Sequence, residues 1–372
     1  MSDLSADDYR YMARALELAA RGLNTTDPNP RVGCVLVKDG AVIAEGWHQR
    51  AGLPHAEALA LAAAGERARG ATAYVTLEPC NHYGQTPPCS AALLAAGIAR
   101  LVYARIDPNP LVAGAGAAAL AAGGVTVESE CLGAAAEELN PGFYSRFRRG
   151  RPWVRVKLAA SLDGRTALAN GSSQWLSCED ARADVQRLRA RSSAILTGAS
   201  SVCRDNPRLT VRDPTLAVPA RQPLRVVLDP TLSLLPSARL LSEPGKVLIL
   251  SGTTDPARRA PLEAAGAAVV SLAPAADARR LERVLEELAR REVNELLVEA
   301  GPRLAGSFIE AGLVDEFILY LAPHMLGHDA APLAMLPMLD DLGGRWGFRY
   351  AGVRMVGADL RLTLVPDPQA AS

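Results

Sequence analysis

Two periods of apolar residues alternate along the first part of the chain. Met12, Leu16 and Ala19 or Ala20 recur at helical spacing, and Ser5 followed by Asp8 predicts a capping box ahead of them. Arg31 to Trp47 reads instead as two strands joined by Asp39-Gly40, a dipeptide suited to the positive φ angles of a tight hairpin turn. Helix and strand then alternate: a helix from about His55 to Ala64, a strand Ala71 to Leu77 and a helix opening near Cys89. A strand Arg100 to Ala104, an Ala-rich helix after Gly114 and a strand Val125 to Glu128 follow. Such alternation covers both faces of a sheet, so a three-layer α/β domain is expected, ending near Asn140.

Arg146 to Pro152, with four arginines around Gly150, carries no helical or strand period and predicts the connection between domains. A fresh strand starts at Trp153, followed by a helix capped by Ser177. Strands are expected at Ala194 to Thr197, Leu224 to Leu228, Lys246 to Leu250, Ala267 to Ser271, Glu295 to Glu299 and Glu316 to Leu321. This is a second α/β domain, and the expected bounds are 1–147 and 152–366. The Pro-rich tail from Pro366 to Ser372 reads as a loose end.

A length of 372 residues accommodates these two domains, and 49% apolar residues suffice for two cores. Forty basic residues cancel forty acidic ones, so no net field draws nucleic acid or an anionic membrane. The start, Met1 to Asp8, lacks the basic and apolar regions of a secretory signal. The uncharged stretch Leu111 to Val127 is broken by four glycines and too short to span a bilayer comfortably. A cytoplasmic protein is expected. Its six cysteines are too sparse for a disulfide framework. Cys34, Cys131, Cys178 and Cys203 read as small packing residues.

Cys80 and Cys89 differ. His55-Ala56-Glu57 opens a helix, Pro79-Cys80 follows a strand, and Cys89 comes eight intervening residues later. One imidazole and two thiolates provide three ligands for tetrahedral zinc and leave a fourth position open for water. Deaminase chemistry also needs a glutamate that is not a ligand, able to take a proton and pass it to the leaving amine, and Glu57 fits. H-x-E alone is common; joined to P-C and a second cysteine it is selective. Deaminases acting on free cytidine or nucleic acid usually carry P-C-x-x-C, so the longer loop here shapes a different substrate edge. His82 lies inside that loop and reads as a packing or substrate-contact residue, the zinc having its three ligands without it.

The chain carries Pro28-Asn29-Pro30-Arg31-Val32-Gly33, His55-Ala56-Glu57, Glu78-Pro79-Cys80 through Thr86-Pro87-Pro88-Cys89, and Asp107-Pro108-Asn109-Pro110 before Val112-Ala113-Gly114. From about residue 10 to residue 365 it resembles the bifunctional riboflavin-biosynthesis deaminase/reductase family. The resemblance implies an N-terminal three-layer cytidine-deaminase-like domain followed by a dihydrofolate-reductase-like α/β domain. It implies hydrolytic deamination of 2,5-diamino-6-(5-phosphoribosylamino)pyrimidin-4(3H)-one, then NADPH-dependent reduction of the ribosyl group to ribityl. It also implies zinc on His55, Cys80 and Cys89, Glu57 as proton shuttle, and Asn29 and His48 in the pocket. Gln85 departs from the pattern: it stands where the family usually has Arg or Lys, and a neutral amide cannot pair with a phosphate as a cation can.

A dinucleotide site has one decoy. Gly114-Ala115-Gly116-Ala117-Ala118-Ala119 matches G-x-G-x-x-A, but Ile106 to Ala113 separates it from the preceding strand, whereas the fingerprint must follow a strand directly. Helix packing explains these glycines better. The stronger candidate is Leu296 to Ser307, a strand, a Gly301-Pro302 turn and a helix start whose free amides can bind phosphate oxygens. Segments Val154 to Thr166, Ser173 to Trp175 and Asp205 to Arg212 resemble the family's reductase half. On those matches, Ala159, Trp175, Ser201, Asp205 and the turn Gly301, Pro302, Arg303, Leu304, Ala305, Gly306 and Ser307 are expected to contact NADPH. Ser173, Arg189, Leu209, Arg212 and Glu299 are expected to contact substrate. Arg189 and Arg212 suit a bidentate phosphate grip, Glu299 a sugar hydroxyl or pyrimidine donor, and Lys157 an electrostatic aid to opening of the ribose ring.

The partners expected are a small phosphoribosylaminopyrimidine and further copies of the same chain, as a dimer or tetramer, with neither nucleic acid nor membrane. A second reading keeps the zinc deaminase and makes the C-terminal half a non-catalytic binding or oligomerisation module. A third, a non-catalytic sensor of the phosphoribosyl intermediate, is disfavoured by the intact His, Cys, Cys and Glu set.

Overall fold

Ser5 does begin the first helix. In the computed structural model, which describes residues 4–82, 87–216, 221–272 and 277–367, its hydroxyl accepts from the Asp8 amide at 3.2 Å and its own amide donates to the Asp8 carboxylate at 2.7 Å. Gln85 and the tail beyond residue 367 lie outside the described residues. The chain divides into two units, Met1–Gly150 and Arg151–Ser372.

The first unit runs α1 (Ala6–Ala20), β1 (Gly33–Lys38), β2 (Ala41–Trp47), α2 (Ala56–Ala64), β3 (Thr72–Val75), α3 (Cys89–Ala96) and β4 (Arg100–Tyr103). It continues through α4 (Ala115–Ala122), β5 (Thr126–Glu128), α5 (Gly133–Leu139) and α6 (Pro141–Arg149). Its sheet has the order β2-β1-β3-β4-β5, antiparallel up to β3 and parallel from there to β5. Because side chains alternate along a strand, Cys34 and Leu36 of β1 pack towards α2, α3 and α4, while Val35 and Val37 pack towards α1 and α5. Both faces are thereby covered, giving the three layers, and β1 is apolar and buried from Gly33 to Val37 for that reason. Two close approaches set the helix positions. A Cβ on Gly33 would lie 2.0 Å from the Ala15 carbonyl of α1, and one on Gly46 would lie 2.3 Å from the Ala56 carbonyl of α2.

The second unit comprises β6 (Trp153–Ser161), β7 (Arg165–Ala167), α7 (Glu179–Arg191), β8 (Ala194–Gly198), α8 (Ala199–Asp205), β9 (Leu224–Leu228), α9 (Arg239–Ser242) and β10 (Val247–Ser251). Then come α10 (Pro256–Ala264), β11 (Ala267–Ser271), α11 (Asp277–Arg290), β12 (Glu295–Glu299), α12 (Pro302–Glu310), β13 (Glu316–Ala322), β14 (Ala331–Pro332), β15 (Phe348–Val356) and β16 (Asp359–Pro366). Nine strands form one sheet in the order β11-β10-β9-β8-β12-β6-β13-β16-β15, parallel as far as β13 and antiparallel beyond it; β7 and β14 form a separate pair. Val154, Val156 and Leu158 of β6 face one core with Leu296 and Val298, whereas Leu297, Ile318 and Tyr320 face α7 through Ala181, Val185 and Leu188. Parallel order gathers the carboxyl ends of β6, β8 and β12 at one edge, where ligands bind in open α/β sheets.

Three expectations change. Arg146 to Arg149 are not connector but the last turn of α6, whose Phe143 and Tyr144 pack with Leu77. The aromatic spacing was masked by the arginines, two of which lie over rings of the same helix: Arg146 is 4.6 Å from the Phe147 centroid and Arg148 is 4.7 Å from that of Tyr144. The buried face of α1 is Tyr11, Met12, Ala15, Leu18 and Ala19, with Leu16 only half-buried and Ala20 exposed. The N-cap of α7 is Cys178 rather than Ser177, its amide donating to Asp359 at 2.9 Å. The β15-β16 hairpin was not anticipated; β15 is an edge strand with exposed Tyr350, Val353 and Met355, so its sequence lacks a buried-strand pattern.

Candidate active sites

His55, Cys80 and Cys89 reach one point from three different elements of the first unit. His55 is the N-cap of α2, extended at φ −71° and ψ 165°, Cys80 sits in the turn after β3, and Cys89 is the first residue of α3 behind Pro88. His55 Nδ1 lies 3.6 Å from Cys80 Sγ and 3.3 Å from Cys89 Sγ, and the three donor atoms fall within 4.8 Å of one another. The Cys89 amide donates to Cys80 Sγ at 3.4 Å. Two sulfurs and one imidazole nitrogen converging this closely fit a tetrahedral zinc ion with an open fourth position. Cys89, the amide of Cys89 and His55 together pull the Cys80 thiol below the usual thiol range, against its burial, while Cys80 and burial push the Cys89 thiol up, so the two sulfurs titrate as a pair.

The Glu57 carboxyl is 3% exposed, beside His55 and the two sulfurs. Burial pushes its pKa up, with the Cys80 charge adding to the rise and His55 opposing it. The neighbouring His48 lies edge-on to His55, with ring centroids 5.3 Å apart. Its Nδ1 meets the Pro54 carbonyl at 3.2 Å and must donate there, which leaves Nε2 to accept from Asn29 Nδ2 at 3.1 Å. Burial lowers the His48 pKa, in keeping with a neutral ring. Asn29 and His48 thus stand against the cluster, while His82 is exposed in the loop.

The second unit builds its site over longer distances. Lys157 of β6 and Glu299 of β12 are register partners, and Ala159 is paired with Tyr320 of β13. Arg189 of α7 donates from Nε to Glu299 Oε1 at 2.6 Å, from Nη2 to Oε2 at 2.9 Å, and from Nη1 to the Thr210 carbonyl at 3.1 Å. A cleft of about 570 Å³ opens here, lined among others by Lys157, Ala159, Ser173, Trp175, Arg189, Arg212, Glu299 and Tyr320. Burial lowers the pKa of the Lys157 amine, opposed by Glu299 and assisted by Arg189. Burial would raise that of Glu299, but Arg189, Lys157 and Arg212 outweigh it and hold the carboxylate ionised.

Arg189, which lines the cleft, has its guanidinium fork engaged by Glu299. Arg212 is the freer cation: among the described residues its side chain makes two 3.4 Å contacts, to the Thr210 carbonyl and hydroxyl. Leu209 has a buried side chain packed with Val185 and Leu297 and a left-handed backbone at φ +53°, so any substrate contact falls to its main chain. Trp175, 71% exposed, stands at the rim with Arg182 4.7 Å from its ring centroid. Tyr320 was missed; the signal was a polar-tipped aromatic near the end of a predicted strand.

Ser201, Asp205 and the Gly301 to Ser307 turn lie outside the cleft lining. Because β8 and β12 are parallel neighbours, the starts of α8 and α12 lie side by side: a Cβ on Gly301 would stand 3.8 Å from Ser201 Oγ, and one on Gly198 3.8 Å from Leu304. Within α12, Arg303 is exposed and Leu304 and Ser307 half-buried, whereas Ala305 is core and Gly306 is covered by the Met335 carbonyl, 2.0 Å from where its Cβ would be. No helix among the described residues is long and apolar enough to cross a membrane.

A histidine and a cysteine at two helix starts and a second cysteine just past a strand, with a proton carrier beside them on this sheet, define the zinc-binding deaminase class. Residues 5–105 match the family model described as the cytidine and deoxycytidylate deaminase zinc-binding region, and residues 152–358 match the RibD C-terminal domain. The riboflavin biosynthesis protein RibD of Escherichia coli (strain K12) is 48% identical, covering 96% of this chain and 99% of its own length. Among solved structures, Acinetobacter baumannii RibD aligns with a TM-score of 0.90 at 41% identity, covering 97% of this chain and 99% of that one. A diaminohydroxyphosphoribosylaminopyrimidine deaminase/5-amino-6-(5-phosphoribosylamino)uracil reductase from Thermotoga maritima aligns at 0.84 and 31%, with coverages of 97% and 99%. The chain belongs to the RibD family of riboflavin biosynthesis proteins, and its two halves make it a bifunctional deaminase and reductase. A non-catalytic C-terminal module is not favoured.

Proposed function

We propose that the first unit, with bounds near 1–147, deaminates 2,5-diamino-6-(5-phosphoribosylamino)pyrimidin-4(3H)-one to 5-amino-6-(5-phosphoribosylamino)uracil, and that the second, near 152–366, reduces the ribosyl group of that product to ribityl. The observation that carries this reading is the convergence of His55, Cys80 and Cys89 beside the buried Glu57 carboxyl. His55, Cys80 and Cys89 hold zinc, which when bound supplies a Lewis acid that makes water nucleophilic at neutral pH. Glu57 takes the proton of the water that adds to the amine-bearing ring carbon and returns it to the departing amine, so that ammonia leaves. A carboxyl raised by burial suits both transfers. Asn29, whose amide is oriented by His48, binds the pyrimidine edge.

NADPH when bound supplies the hydride of the second step. The adjacent starts of α8 and α12, at Ser201 and at Gly301 to Leu304, receive its phosphates on main-chain amides. Asp205 at the end of α8 and Ser307 contact its sugar hydroxyls, Ala305 and Gly306 serve by packing the turn, and Ala159 and Trp175 receive its nicotinamide end. Glu299, fixed by Arg189, holds a sugar hydroxyl; Arg212 attracts the phosphate, Ser173 and the Leu209 backbone complete the substrate contacts, and Lys157 aids opening of the ribose ring. The enzyme works in the cytoplasm as a dimer or tetramer.

The test is to incubate the zinc-loaded chain with the diaminopyrimidine ribosyl phosphate, with and without NADPH, and to identify products by mass spectrometry. Ammonia loss in both samples with a ribityl product only with NADPH is expected; deamination without reduction would return the second unit to a binding role. Glu57→Gln should keep zinc and lower deamination by roughly 10²- to 10⁴-fold. Unchanged turnover would remove Glu57 from its role.

A further inference from the structure

The glycine pair that imitates a dinucleotide fingerprint holds an anion belonging to the protein itself. Glu78, between β3 and Cys80, is 3% exposed. Its Oε1 accepts from the amides of Gly116 at 3.0 Å and Ala117 at 3.1 Å, and its Oε2 from those of Gly114 at 2.9 Å and Asp107 at 3.3 Å. Three of these donors belong to the cap and first turn of α4, amides that have no partner within the helix. The carboxylate therefore occupies the position an exogenous phosphate would take.

A second contact is independent of the first. A Cβ on Gly116 would fall 1.8 Å from the Pro79 carbonyl oxygen, so only glycine lets α4 close on the Pro79-Cys80 peptide. This matters because the three sulfur and nitrogen donors are unequally supported. His55 and Cys89 are placed by the helices they begin, whereas Cys80 lies in irregular chain.

We propose that Glu78, together with Gly116, is a positioning residue for the metal centre: the α4 amides clamp its carboxylate, and Cys80 Sγ is thereby held at the distance from His55 and Cys89 that a tetrahedral ion needs. Glu78 acts through Cys80 and touches neither substrate nor the reacting atoms. The inference rests on His55, Cys80 and Cys89 being the zinc ligands.

The test uses the full-length chain and three variants: Glu78→Gln, which turns an amide NH₂ towards amide donors; Ala117→Pro, which removes one donor at a first-turn position that tolerates proline; and Cys89→Ser as control. Zinc affinity is read by chelator competition, ligand geometry by the visible spectrum of the cobalt-substituted protein, and folding by melting with and without zinc. For Glu78→Gln the expected result is a loss of metal affinity of roughly 10- to 100-fold and an altered cobalt spectrum. At saturating zinc, deaminase kcat should fall with KM and NADPH-dependent reductase activity unchanged. Ala117→Pro should fall between Glu78→Gln and the parent. Parental affinity and spectrum in both variants would overturn the proposal, as would a lower melting temperature of the zinc-free protein with the zinc-induced shift intact. A parent chain that binds no more zinc than Cys89→Ser would instead overturn the ligand assignment itself.

Discussion

The two active sites are assembled in opposite ways. In the first unit, the groups that meet at the metal site come from two short sequence neighbourhoods, residues 55 to 57 and 78 to 89, each placed by a helix start or a strand end. In the second unit, Arg189 and Glu299 are separated by 110 positions and meet only because α7 lies across β6 and β12. Their charges are also managed differently. Cys80 is drawn toward the thiolate by Cys89 and His55 while the Cys89 thiol beside it is pushed up by Cys80 and by burial, so the pair shares its charge without a cation, whereas Glu299 already has one in Arg189. A site encoded locally can be damaged locally; a site encoded by sheet order responds to changes that loosen the fold around it.

The largest expected effect sharpens that contrast. Cys89→Ser should leave the chain without stoichiometric zinc and reduce deamination at least as far as the ~10²- to 10⁴-fold expected for Glu57, while reduction of the deaminated product continues at the parental rate. Metal analysis and separate assays of the two half-reactions check this, and full metal content in the variant would mean a different ligand set.

Glu299→Gln addresses the other unit. It leaves the Arg189 guanidinium buried without its carboxylate, a change that typically costs about 3–5 kcal/mol. Loosening of the cleft should lower reductase kcat/KM by roughly 10²-fold or more. The melting temperature should fall together with reductase activity, with deamination untouched. A loss of activity at parental stability would show that Glu299 serves substrate alone and that the ion pair is not what shapes the cleft.

The smallest effect concerns stability rather than chemistry. Burial would raise the Asp8 pKa, but Arg100, Tyr74 and Ser5 outweigh it and hold the carboxyl well below the usual carboxylate range. A depressed native pKa contributes stability that is present above the unfolded value of about 4 and is lost as pH falls below it. Asp8→Asn should therefore destabilise the first unit by about 2 kcal/mol at pH 7, and the gap to the parent should shrink as the pH drops through 4 and below. A gap independent of pH would assign the effect to the capping box rather than to the ion pair with Arg100.

Legibility in the sequence follows the same division. The capping box of Ser5 and Asp8, the Asp39-Gly40 hairpin and the alternation of helix and strand up to β5 were readable because each depends on residues a few positions apart. So was the grouping of His55, Cys80 and Cys89, since a helix start and a strand end leave little freedom in where such side chains point. The α6 helix was not readable, because its arginines hide an aromatic face whose partner, Leu77, lies far back in the chain. Nor was the β15-β16 hairpin, an edge without a buried face to impose a period.

By itself, then, the sequence determined the local periods, the turns and the metal-binding donor set. Tertiary structure alone decided that Arg189 is committed to Glu299 and that Gly114 and Gly116 receive the Glu78 carboxylate instead of a cofactor phosphate. The physical reason is that spacing fixes neighbours within a turn or two of chain, whereas the partner of a buried charge depends on which strands lie side by side and in what register.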